Sequence, residues 1–186
     1  MFFFKIITDN FKRNLFVLFY ITLFVPFFYT QTYILNEDFS SATGTIPPSG
    51  WTNSKISGAN TDLWHFDNPS NRGIGFPILG TFAIFDSENY SQSNGFESSQ
   101  LVSPFLDCSV SPNILMSFDH YFAAGNGAVG KIEVHDGSNW NTVVTYSDSM
   151  VKSHNELVDI SSFAGGVSNA KVRFLWEGDS SYFWAV

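Results

Sequence analysis

Asp136, Ser138 and Asn139 fall within four residues of one another in KIEVHDGSNWNTVVTY (residues 131–146), where their oxygens could face a hard cation. A calcium loop of the helical-hand type needs oxygen donors at alternating positions and a distal glutamate, and this stretch has no such glutamate. Asp-Gly instead tolerates the positive φ angles of a tight turn, and Ile132, Val134, Trp140, Val143, Val144 and Tyr146 on its flanks favour strands. The stretch predicts the bend of a hairpin, so a working site is to be sought elsewhere.

The four histidines, His65, His120, His135 and His154, stand in no HExxH arrangement, and neither GxSxG nor CxxC occurs. Each is read as a packed or solvated side chain. Asp119, Glu133 and Glu177 could supply a glycosidase pair if neighbouring strands brought two of them ~5–9 Å apart, although 17 acids make some such pair expected by chance. NPSNRGIGFPILG from Asn68 lacks the strand-to-helix setting of a phosphate loop. The catalytic reading is therefore "not an enzyme". Aromatic rings are the better lead. Trp64, Trp176 and Trp184 fall on the core side of their strands by alternation. Trp51, after a Pro-Pro-Ser-Gly loop, and Trp140, after the hairpin bend, are the candidates for an exposed ligand-binding platform.

The elements that must position these groups are short strands. Beyond residue 32, clusters of Gly, Ser, Asn, Asp and Pro break the chain at about 8–12-residue intervals, the spacing of antiparallel folds, and no helical periodicity is evident. Strands are expected at 33–39, 63–68, 81–86, 95–102, 113–123, 131–135, 142–146, 154–159 and 170–177, and YFWAV at the C-terminal end is strand-like as well. In NILMSFDHYFAA, Ile114, Met116, Phe118, His120 and Phe122 alternate with Leu115, Ser117, Asp119 and Tyr121; in KVRFLWE, Val172, Phe174 and Trp176 share one side. Two sheets packed face to face would bury these aromatic rows, so the fold class is all-β, a jelly-roll-like antiparallel β-sandwich.

Lys5, Lys12 and Arg13 precede an apolar run at 15–29 interrupted by Pro26, the layout of a secretory signal rather than of a span needing ~20 apolar residues. Residues 1–32 are read as that signal, with no membrane span after cleavage, and residues 33–186 as one domain. Removing the signal takes the formal net charge from -8 to -10, which repels phosphate backbones and argues against nucleic acid. The single cysteine, Cys108, allows no intramolecular disulfide and is read as a small buried residue.

Several pieces occur together in a familiar order: NEDFSS at Asn36, IPPSGWT at Ile46, TDLWHF at Thr61, SSQLVSPFLDCS at Ser98, LMSFDHYF at Leu115, KIEVHDGSNWNTV at Lys131, LVDISSFAGG at Leu157, KVRFLWEG at Lys171 and YFWAV at Tyr182. In this order and spacing the chain resembles the cleaved-adhesin and choice-of-anchor J domains, exported modules of Gram-negative bacteria related to the MAM domain. The resemblance implies a MAM-like jelly roll and a structural calcium site, with Glu37 and Asp62 at matching positions and Asp38 and Asp86 beside matched motifs. It also implies that the last strand continues beyond the YFWAV run into an acidic residue, so the domain is expected to be truncated within that strand.

The functional expectation is a non-catalytic, calcium-stabilised adhesion or carbohydrate/protein-binding module of a secreted or cell-surface bacterial protein. Its expected partners are an extracellular glycan, a host or matrix protein, or other domains of the same polypeptide. The alternatives are an accessory domain of a secreted peptidase or glycosidase, and a structural spacer.

Overall fold

A computed structural model describes residues 4–8, 32–58, 62–90, 95–147, 150–179 and 181–186. Among the described residues eleven strands are formed in chain order: β1 (Phe4–Thr8), β2 (Thr32–Glu37), β3 (Thr52–Ser57), β4 (Ile84–Asp86), β5 (Glu97–Val102), β6 (Ile114–Ala123), β7 (Val129–His135), β8 (Trp140–Ser147), β9 (Met150–Asp159), β10 (Lys171–Gly178) and β11 (Phe183–Ala185). One short helix, α1 (Ser161–Ala164), follows β9. The strands make two antiparallel sheets, one of six strands and one of five ordered β3-β5-β10-β7-β8. This is the all-β sandwich that period-two alternation predicts.

The alternating residues do what their spacing requires. Ile114, Met116, Phe118, His120 and Phe122 of β6 are buried, and Phe118 meets Phe174 of the opposite sheet edge-on at 5.4 Å between ring centroids. Trp64, Trp176 and Trp184 are fully buried, and Trp184 packs against Trp64, Phe122, Tyr146 and Phe174. Rings offset or edge-on at 4.5–7 Å add to the burial of their area. Cys108 is buried and unpaired, as expected of a small apolar residue.

The six-stranded sheet has an unusual lane. β9 runs along one edge of β6 from Leu115 to Ala123. β1 and β11 must therefore share the other edge, β11 against residues 121–123 and β1 against residues 114–117, both antiparallel to β6. β2 flanks β1 on its far side, as β4 flanks β11. One lane is thus assembled end to end from segments at opposite ends of the sequence.

Three strand expectations change. The stretch at 63–68 is not a strand; it makes a single bridge, His65 to Ile84, because the Asn53 side chain takes up the Trp64 backbone, accepting from Trp64 N at 3.1 Å and donating to Trp64 O at 2.7 Å. β3, TNSKIS, has no apolar alternation and escapes the pattern because it is a largely polar edge strand against β5. Phe4–Thr8, inside the segment read as an export signal, forms β1; the apolar run at 15–29 lies outside the described residues. The bend at Asp136 is a hairpin turn joining β7 and β8: Asp136 Oδ1 accepts from Ser138 N and Asn139 N at 2.9 and 2.8 Å, and Gly137 takes φ +95°.

Candidate functional site

The four acids suggested as calcium ligands fall into two groups. Glu37 Oε1 accepts from Asp38 N and Phe39 N at 3.1 and 2.8 Å, capping a turn in which Phe39 has φ +56°. Asp38 Oδ1 accepts from Ser40 N, and hydrogen bonds from Ser40 hold its carboxyl below the usual range. Both line a small cavity beside Phe4, Phe118 and Val186. Asp62 and Asp86 lie elsewhere, fully buried, close enough to Tyr90 and Glu97 for their charges to act on both. Asp86 is engaged by Arg72, whose Nε and Nη2 donate to Oδ2 and Oδ1 at 2.9 and 2.6 Å. A bidentate arginine already balances that carboxylate.

Glu97, which the sequence reading did not single out, completes the second group. It is 2 % exposed and its Oε2 has no hydrogen-bond partner among the described residues. Burial pushes its carboxyl up to about 7; a Ser87 hydrogen bond opposes this and the charges of Asp62, Asp179 and Asp86 reinforce it. The Tyr90 phenol, whose hydroxyl donates to Leu63 O, is also pushed up, by burial first and then by Asp62 and Asp86. Gly58 lies against Asp62 at φ +101°, where a Cβ would sit 2.5 Å from Asp62 Oδ2 and 3.5 Å from Phe96 O. Buried carboxylate and carbonyl oxygens around a glycine cradle are the donor chemistry of a hard cation, and an orphaned buried carboxylate oxygen is costly without one. The residues that fit calcium are Asp62 and Glu97, while Glu37 and Asp38 are engaged in their own turn.

Among the described residues, one cluster brings three metal-capable side chains together: His120, His154 and Glu156. His120 Nε2 lies 2.9 Å from Glu156 Oε2, and His154 Nε2 lies 3.4 Å from both. Cross-strand register makes this arrangement, since His120 faces His154 and Phe118 faces Glu156. Trp184 Nε1 donates to His120 Nδ1 at 3.3 Å. An indole N–H can only donate, so Nδ1 is an acceptor and the ring proton sits on Nε2, pointing at Glu156. The nitrogen a metal would need is thus occupied by a proton, and the cluster is a hydrogen-bonded chain from Trp184 through His120 to Glu156. Burial, opposed by the Glu156 charge, pushes His120 down to about 4.

The two tryptophans proposed as a platform part company. Trp51 is buried between Phe4 and Phe39, at 5.5 and 5.3 Å, because the Pro-Pro-Ser-Gly loop folds it inward; the exposed-platform reading is corrected for this residue. Trp140 is half-buried on the outer face of the five-stranded sheet, with the Arg173 guanidinium 4.3 Å from its ring centroid and His135 edge-on at 5.1 Å. Arg173 Nε donates to Glu133 Oε2 at 2.6 Å and Nη1 to Gln100 Oε1 at 2.6 Å, while Thr142 Oγ1 donates to Glu133 Oε1 at 2.8 Å.

The glycosidase pair is not assembled. Asp119 lies on the outer face of the six-stranded sheet, accepting from Asn155 Nδ2 at 2.8 Å. Glu133 and Glu177 lie on the outer face of the opposite sheet, paired with Arg173 and Lys131. A sandwich core separates Asp119 from both, and each glutamate has a basic partner.

No family model matches the chain, and no curated protein matches it. Solved structures share its fold. The K3 cleaved adhesin domain of Lys-gingipain from Porphyromonas gingivalis W83 superposes with a TM-score of 0.58 at 16% identity, covering 82% of this chain and 92% of that one. The K1 cleaved adhesin domain of the same protein gives 0.50 at 12% identity, covering 74% and 90%. The fold is that of the cleaved adhesin domains.

Proposed function

We propose that the chain is a non-catalytic adhesion or carbohydrate-binding module of a secreted or cell-surface bacterial protein. On this reading a calcium ion held by Asp62 and Glu97 braces its loops. The observation that carries the reading is the outer face of the five-stranded sheet. There Trp140, backed by Arg173, stands among the polar groups of Gln100, Glu133 and Thr142, held in place by hydrogen bonds to one another. An aromatic ring beside fixed donors and acceptors is the chemistry that recognises a sugar ring, whose C–H face stacks while its hydroxyls are hydrogen-bonded. The likeness to the cleaved adhesin fold supports an adhesive role.

The calcium chemistry is structural. Bound at Asp62 and Glu97, the ion supplies positive charge to carboxylates that burial otherwise penalises. The chain's residues then fix the loops that join the sheets, the usual setting of a recognition surface. Glycan arrays and matrix-protein binding on folded protein with calcium test the proposal. Signal above background is expected to fall about tenfold or more in Trp140→Ala, the effect of losing an aromatic anchor. A folded chain that binds nothing on either array would sink it.

A further inference from the structure

Lys131, Arg173 and Lys171, on the adjacent strands β7 and β10, share the outer face of the five-stranded sheet, and they are not alike. Lys131 pairs with Glu177 and Arg173 with Glu133. Lys171 pairs with no carboxylate among the described residues; its Nζ lies 4.0 Å from the centroid of the Phe105 ring. In a chain with 17 acidic and 9 basic side chains, acidic partners are in excess, so the missing pair reflects placement rather than supply. Leu106 bridges Ala170 antiparallel and both are buried, which sets their neighbours Phe105 and Lys171 together on the outside, Phe105 being 67 % exposed. A ring covers one side of an ammonium and leaves its other N–H donors for an acceptor.

Register puts this ammonium in line with Trp140. Lys171 stands opposite His135 of β7, and His135 opposite Trp140 of β8. Neighbouring strands lie about 4.8 Å apart, so Lys171 and Trp140 are two spacings, about 10 Å, from one another. Between them, Gly137 N donates to His135 Nδ1 at 3.1 Å, which leaves the proton of the neutral ring on Nε2 as a second donor beside the ammonium. The acids of this corner are engaged. Asp136 accepts from Ser138 N, Asn139 N and Asn141 Nδ2 at 2.9, 2.8 and 2.9 Å, and Glu133 is held by Arg173 and Thr142. The row thus has a ring at each end and, between the rings, a cation without an anion.

We infer that this row is an acid-sugar subsite: Lys171, with His135 beside it, takes the carboxylate or sulfate of one residue of a glycan whose neighbouring sugar stacks on Trp140. The inference rests on the glycan-binding reading of this face and adds the class of glycan to it. A net charge of -8 opposes dense polyanions, so the ligand carries its acid groups at intervals along a sugar chain and is not a nucleic acid.

The test titrates the folded full chain, by calorimetry at low salt, with two pairs of tetrasaccharides. One pair is an alternating glucuronate–glucose chain and its neutral methyl ester; the other is a galactan with one sulfate per disaccharide and its desulfated form. At least one acidic probe should bind about tenfold more tightly than its neutral counterpart, the effect of one charge-assisted contact. Preference within the first pair assigns a carboxylate, and within the second a sulfate. It should shrink as salt is raised from ~0.05 to ~0.5 M. Lys171→Gln should erase the preference and leave the neutral probes bound as before, Lys171→Arg should keep it, and Trp140→Ala should weaken both members of each pair. Equal binding within both pairs by the wild type overturns the subsite and leaves the glycan-binding reading standing. If none of the four binds while an array yields another neutral glycan, the subsite again falls alone; if nothing binds anywhere, both fall. A preference that survives Lys171→Gln overturns it as well, and so does poly-Glu competing as strongly as the acidic sugars, which would assign the row to an acidic protein.

Discussion

Two clusters of buried ionisable groups sit in this sandwich, and they are solved in opposite ways. At the seam beside β9, Trp184, His120 and Glu156 form a hydrogen-bonded chain in which the donor and acceptor roles close. Around Gly58 the charges are mixed and do not close: Lys55 Nζ donates to Gly58 O at 2.8 Å and Arg72 pairs with Asp86, yet among the described residues Glu97 Oε2 has no hydrogen-bond partner, and the charges of Asp62, Asp179 and Asp86 raise its carboxyl further. The first cluster has the residue types and distances of metal ligands, yet a proton already occupies the critical nitrogen. The second does not bring three such ligand atoms together among the described residues, yet it holds the orphaned carboxylate oxygen of Glu97. Donor count is a poorer guide to an ion than unsatisfied charge, since hard cations also draw on backbone carbonyls.

The comparison is broken most forcefully at Gly58. Gly58→Ala places a Cβ against Asp62 Oδ2 at positive φ, and it should cost about 3 kcal/mol in urea unfolding while abolishing any calcium response. A variant as stable and as calcium-responsive as the wild type would show that the pocket is not built around that glycine.

Acidity separates the clusters next, because their linkages have opposite signs. Glu97, raised from 4.5 to about 7, binds more protons folded than unfolded; in calcium-free buffer its contribution is complete below 4.5 and is lost as pH rises through 7. His120, lowered from 6.5 to about 4, binds fewer protons folded, so its contribution is complete above 6.5 and is lost as pH falls towards 4. Each span amounts to about 3 kcal/mol at most, and between about 4.5 and 6.5 the two oppose one another. The two nearly cancel there, so Glu97→Gln should leave stability rising with pH in that window and His120→Gln should leave it falling, relative to the wild type. Unchanged slopes in denaturant melts across pH 4–7.5 would contradict both assignments.

Metal addition sharpens the contrast at slightly smaller amplitude. Calcium at 100 times its dissociation constant should stabilise the folded chain by about 2.7 kcal/mol, and the rise in Tm should vanish in Glu97→Gln and persist in His120→Gln. Because binding requires the Glu97 carboxylate, apparent calcium affinity should increase as pH is raised towards and through 7. Zinc should have the smallest effect, leaving Tm within about 1 °C, since Trp184 holds the His120 proton on Nε2. A zinc-dependent rise lost in His154→Ala would reverse that assignment.

Much of the sandwich is legible in the sequence because alternation in β6 and β10 reports directly which side chains face inward. Edges are less so: β3 carries no strand signal since TNSKIS has a single apolar residue, Ile56, and no alternation, and it is recruited by pairing with β5. Glu97 shows where a site could have been found. Leu101 lies opposite Phe174, Ser99 opposite Trp176 and Glu97 opposite Gly178, so period two from Leu101 points Glu97 into the core. An acid at inward parity in a strand thus marks itself as buried where no motif does. Trp51 misleads for a complementary reason: a loop rich in Pro and Gly suggests exposure, but the Phe4 and Phe39 rings that enclose Trp51 are distant in sequence.

The two-part lane along β6 also bears on how the sheet can close. Its halves come from residues 4–8 and 183–185, segments far apart in sequence, so neither half of the lane is seated by local contacts. Contacts of such sequence separation slow folding and leave strand edges open in the meantime. Completion of this sheet thereby waits on long-range pairing, and the edge of β6 left open until then is the surface most in need of a chaperone.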